Sequence, residues 1–218
     1  MVAVRSDESA RPREPAWIAG VSLFPRLPWS DDARVALRPA AVYDELSRGP
    51  ARTAFLERPL LFSFLLGLVL ALTTAGRPTL RLVLGGALAF GFIPALQIAS
   101  IALSGAAFGR RGIPLLRAID LHFLGYLPWT VWLLFVAAFA SFTSPEREHL
   151  LWAVILWSVA VPILWSRVIG WHFFRRVLGM GVPGALAALL VQIAIIWGSI
   201  LVFFLFSGQL EPRILSGH

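Results

Sequence analysis

Two short stretches of this chain echo each other: Ile119-Asp-Leu-His-Phe123 and Ile169-Gly-Trp-His-Phe173. Asp120 and His122 open one apolar run, and His172 closes another. Imidazoles at matched depth beside a carboxylate admit three chemistries. They could be axial haem ligands, a small metal site with Asp120, or part of an anionic headgroup cradle. Haem prefers histidines deeper in a bundle, and no second pair exists here. Arg110, Arg111, Arg117, Arg175 and Arg176 flank the same two stretches, so the lipid-headgroup set is Arg110, Arg111, Arg117, His122, His172, Arg175 and Arg176. The plainer alternative pairs Asp120 with a local arginine and leaves both histidines at the interface.

Other catalytic arrangements are hard to build from these residues. With no cysteine, thiolate catalysis, disulfides and Cys-ligated metals are excluded. No apolar run contains the His-Glu-x-x-His of a metalloprotease, no Ser–His spacing stands out, and no Gly-rich phosphate loop follows a strand. The expectation is a protein that is not an enzyme and that needs no cofactor or catalytic metal.

The elements that must position these residues are membrane spans. Five uncharged stretches run Pro59–Gly76, Leu82–Gly109, Leu121–Pro145, Leu150–Ser166 and Val177–Leu210. About 20 apolar residues cross the hydrocarbon core as a helix, the only spanning form open to a single segment in lipid. The expected class is all-α: a polytopic membrane protein with five transmembrane helices, over about 59–76, 82–109, 121–145, 149–168 and 183–207, within a bundle at 57–210. The fourth is short, and extends if Arg167 snorkels toward the interface. Before the fifth, Gly179-Met-Gly-Val-Pro-Gly184 reads as a break, with the helix starting near Pro183.

All 19 basic residues are arginine, which gives a formal charge of +7. They lie in the tail and loops and not along one face, so nucleic-acid binding is not implied. Near the membrane, nine arginines (Arg48, Arg52, Arg58, Arg110, Arg111, Arg117, Arg167, Arg175, Arg176) share one side, and Arg77, Arg81, Arg147 and Arg213 share the other. The positive-inside bias places the N-terminus in the cytoplasm and the short 211–218 tail outside it. The arginine-only basic set suggests a GC-rich bacterium, hence its inner membrane. The first apolar span begins too late for a cleaved signal peptide.

The N-terminal region divides into a polar tail at 1–14, read as disordered, and an aromatic and amphipathic segment at 15–56. Trp17, Phe24 and Trp29 suit the headgroup layer or a partner surface. Arg38-Pro-Ala-Ala-Val-Tyr-Asp-Glu-Leu-Ser-Arg48 predicts a short helix with Pro39 at its first position, lying at the interface. Ala40, Val42 or Tyr43, and Leu46 share its apolar side, and Tyr43 joins Trp17, Phe24 and Trp29 as a candidate partner contact.

The mid-span polar residues are Thr73, Thr74, Gln97, Ser100, Ser158, Gln192 and Ser199, none charged. Gln97 and Gln192 are expected to hydrogen-bond between helices. Without buried charge, proton coupling and voltage sensing are disfavoured. Pro94, Pro128 and Pro162 should kink their helices. Gly105-Ala-Ala-Phe-Gly109, with Gly85, Gly86 and Gly91, offers small-residue helix contacts.

The order of parts resembles the bacterial branch of the YIP family, the Ypt/Rab-interacting membrane proteins. The resemblance is carried by Leu37-Arg-Pro-Ala-Ala-Val-Tyr-Asp-Glu-Leu46, by Arg58-Pro-Leu-Leu61, by Trp165, and by His172-Phe-Phe-Arg-Arg-Val-Leu-Gly-Met-Gly181. It implies a five-helix, non-enzymatic protein that binds other proteins or shapes membranes, with no catalytic residues to carry over. The expected function is a scaffold or accessory subunit binding other membrane protein subunits and anionic membrane lipids. The alternative is a lipid or small-solute transporter with its path between the Pro-kinked helices.

Overall fold

The computed structural model describes residues 30–49, 56–143 and 147–215. Among these the elements are all helical: α1 (Ser30–Leu37), α2 (Pro39–Leu46), α3 (Glu57–Ala75), α4 (Leu80–Phe90), α5 (Phe92–Phe108), α6 (Leu115–Leu124), α7 (Leu127–Phe142), α8 (Glu148–Ser158), α9 (Ala160–His172), a π-helical turn (Phe173–Val177) and α10 (Val182–Leu215). Trp17, Phe24 and Trp29 lie outside the described residues.

Four helical runs are long and apolar enough to cross a membrane: Glu57–Ala75, Leu80–Phe108, His149–Val177 and Val182–Phe203. A fifth exists if α6 and α7, bent by 47° at their junction, count as one span. Many large apolar side chains point outward, among them Leu88, Phe142, Leu156 and Trp157. That pattern suits lipid as the surrounding medium and not water.

The breaks follow from three prolines. A helical proline removes the bond to the carbonyl four residues earlier and its ring crowds that carbonyl. α4 ends at Phe90, α6 at Leu124 and α8 at Ser158, four residues before Pro94, Pro128 and Pro162. The expected kinks are present, and that at Pro128 is sharp enough to turn α6 aside from α7. α6 begins at Leu115, earlier than the predicted 121, because Arg117 and Asp120 are satisfied by partners within the fold.

Small residues do bring helices together, at the expected Gly86 and its partner Gly67 and not at Gly105. A side chain on Gly67 of α3 would meet the Val83 carbonyl oxygen at 2.1 Å, and one on Gly86 of α4 would meet Gly67 Cα at 2.9 Å. The two backbones touch there. Gly105, by contrast, has nothing within 4 Å of a built Cβ, so it opens a groove and makes no helix contact.

The densest packing lies at the end of the bundle that carries α1 and α2. Val35, Val42, Tyr43, Leu121, Leu124, Ile169, Phe173, Phe174 and Val177 form one buried cluster there with Ala185 and Ala188. α2 starts at Pro39, as its sequence predicts, and presents Val42 and Tyr43 to this core. Gly179, at φ +66°, makes the turn into α10.

Candidate functional site

The charged groups at the α1/α2 end form a chain of ion pairs. Arg58, in the first turn of α3, grips Asp32 of α1 with Nε on Oδ1 at 2.8 Å and Nη2 on Oδ2 at 2.9 Å. Its Nη1 reaches Asp120 Oδ1 at 3.4 Å, and Asp120 Oδ2 accepts from Arg117 Nη1 at 2.7 Å. Arg117 Nη2 then donates to the Leu46 carbonyl at the end of α2. Asp32 is 2% exposed and Asp120 1%. Two acids and two arginines make the network neutral, and α1, α2, α3 and α6 are locked by it at one point. A bidentate arginine–carboxylate pair is the strongest form of this contact.

Outside this network, Arg34 donates to Glu45 and, at 3.2 Å, to Asp31. The bond to the Glu45 carboxylate raises its already high pKa, against the opposing effect of burial. Trp165 of α9 donates its indole N–H to the Ala36 carbonyl of α1 at 2.9 Å. Ala36 lies in the last turn of α1, where carbonyls lack intrahelical donors.

The two predicted arginine loops come together. Backbone N–H groups of Arg110 and Arg111 both donate to the Leu178 carbonyl, at 3.0 and 3.3 Å. Arg111 Nη1 donates to the Arg176 carbonyl, Arg175 Nη1 to the Met180 carbonyl at 3.0 Å, and Arg176 pairs with Asp44 at 3.3 Å. The Arg175 guanidinium also lies 5.8 Å from the centre of the Trp171 ring. Beside Arg111 opens an apolar groove of about 200 Å³, lined by Ile101, Gly105, Ile113, Ala118 and Leu178 among others.

Other predicted residues separate from this patch. Arg117 is buried and its charge is spent on Asp120, so it offers nothing to a headgroup outside. His122 is also buried, against Phe123, Tyr126 and Phe173, and its Nε2 lies 3.3 Å from Gln192 Nε2 across α6 and α10. His172 does not line the cavity that His122 lines. Tyr43 is fully buried against Phe173, so it serves as core and not as a docking surface. Burial also raises its phenol pKa above the ordinary value.

Arg167 sits inside the helix and not at its end. The helix extends past it, as expected, through Val168, Ile169, Gly170 and Trp171 to His172, but the side chain is half-buried. Its Nε and Nη1 are sealed from solvent without a hydrogen-bond partner. The available signal was the apolar run continuing past the arginine.

No protein-family profile, curated protein or solved structure matches this chain.

Proposed function

We propose that this is a non-catalytic integral membrane protein, a scaffold or accessory subunit that holds anionic lipid and partner subunits at its α1/α2 end. One observation carries the reading. Arg110, Arg111, Arg175 and Arg176, which lie 65 residues apart in sequence at Arg111 and Arg176, converge on one patch beside a groove of about 200 Å³ lined mainly by apolar residues. Charge next to a greasy slot is the complement of a phospholipid: phosphate outside, chain inside.

The ion-pair chain supports the same reading. A neutral, buried network that fastens the pre-membrane helices has its charged groups committed to structure. In this proposal the arginine side is cytoplasmic and the membrane is the inner membrane of a bacterium. The arrangement of a Pro-led helix before a bundle is what the YIP-like reading expects.

The test is purification from native membranes in a mild detergent, followed by mass spectrometry of everything retained. Stoichiometric subunits with an acidic phospholipid support the proposal. A particle that carries neither, or that turns over a substrate, refutes it.

A further inference from the structure

Arg167 borders a small cavity between α2, the α6–α7 junction, α9 and α10, together with Tyr43, His122, Tyr126, Ser166 and Gln192. Three polar atoms sealed there have no partner: Arg167 Nε, Arg167 Nη1 and the Tyr43 hydroxyl. No acidic residue lines the space. The buried acids nearby are committed elsewhere, Asp32 to Arg58 and Asp120 to Arg58 and Arg117. A guanidinium keeps its charge in proteins, and Arg167 is half-buried with two of its three nitrogens sealed, which holds that charge largely out of water.

We propose that this cavity binds one small monovalent anion of the halide class, chloride being the common case, with Arg167 as countercharge and the Tyr43 hydroxyl as a second donor. Size selects the class. The free volume is about 20 Å³, and roughly 10–15 Å³ on this measure admits one water. A halide fits; a phosphate or carboxylate group needs more room than the walls allow. Charge selects an ion over a water, because a water satisfies hydrogen bonds but leaves the guanidinium uncompensated. The other lining groups suit this guest. Ser166 spends its proton on the Ile163 carbonyl at 3.0 Å, and the Gln192 amide stands against His122. No carboxylate lines the cavity, and Asp32, the acid nearest in effect to Tyr43, is paired with Arg58. The proposal is independent of the lipid patch, whose arginines belong to other loops.

The experiment is equilibrium binding of radioactive chloride to the full chain purified in chloride-free detergent buffer, with gluconate holding ionic strength constant. One chloride per chain should bind saturably and be displaced by bromide. Arg167→Gln should weaken binding by at least about tenfold, and Tyr43→Phe, which keeps the ring in the core, by about 3- to 10-fold. If Arg167→Gln does not fold, judged by circular dichroism and gel filtration, Tyr43→Phe carries the test. No saturable binding by the unaltered chain, or equal binding by both variants, overturns the proposal. So does chloride-independent stabilisation by phosphatidylglycerol that Arg167→Gln abolishes, which would assign the guanidinium to a lipid phosphate.

Discussion

Both oxygens of the Asp32 carboxylate are held by Arg58, through Nε at 2.8 Å and Nη2 at 2.9 Å, across 26 residues of sequence. Asp32 stands before the first span and Arg58 at its entry, so this pair fixes how the N-terminal segment meets the bundle. Removing one partner leaves the other charge buried and uncompensated, which typically costs about 3–5 kcal/mol. Asp32→Asn and Arg58→Gln should each lower the unfolding midpoint in detergent strongly. The double variant should cost clearly less than the sum of the two. Additive losses would show that the pair is not coupled.

Gly125 fits where no side chain can. A Cβ there would lie 2.7 Å from Ile169 Cγ2 and 3.0 Å from the Tyr43 hydroxyl. Gly125→Ala should therefore destabilise by about 1–3 kcal/mol through overpacking. Ile169→Leu in the same chain, which removes the Cγ2 methyl from Cβ at constant volume, should restore part of the loss. Thermal unfolding of the single and double variants decides this.

Tyr43 supplies a pH dependence. Burial raises its phenol pKa in the folded chain above the ordinary value of 10.0. Below that value both folded and unfolded states keep the proton, and the group has no effect on the balance. Above it the unfolded state loses the proton while the folded state resists, so stability falls as pH rises. Tyr43→Phe should flatten the decline in a melting series taken from pH 9 to about pH 11. An unchanged slope would show that Tyr43 does not contribute to it.

The interhelical contact between His122 and Gln192 should be modest. Hydrogen bonds between membrane helices are worth about 0.6–2 kcal/mol. Gln192→Leu should cost no more than that in a denaturant titration and should leave the helical content intact. A loss of several kcal/mol would mean that Gln192 supports more than this one bond.

What the sequence made legible was governed by local rules. Apolar run length marked the spans, and Pro94, Pro128 and Pro162 marked the breaks, because a missing N–H acts on the residue four positions back. Pro39 marked the start of α2 for the same kind of reason. Distant partners were not legible. The pairing of Asp120 with a local arginine was legible, and Arg117 three residues earlier is that partner; Asp32, 26 residues before the Arg58 that grips it, was not. Arg167 read as a span boundary because nothing local says whether a long side chain turns outward or is enclosed. Gly105-Ala-Ala-Phe-Gly109 offered a contact motif, yet the close approach falls at Gly67 and Gly86, since which helices are neighbours is a property of the whole bundle.

The arginine patch is the centre of the functional account, and lipid retention tests it most directly. The chain would be placed in nanodiscs of mixed phosphatidylglycerol and phosphatidylcholine, released into the gas phase, and its bound lipids counted by native mass spectrometry. The account predicts enrichment of phosphatidylglycerol over its share of the bilayer, lost when Arg110, Arg111 and Arg175 are replaced by glutamine. Lipid adducts in proportion to the bilayer, or enrichment that survives all three replacements, would contradict it.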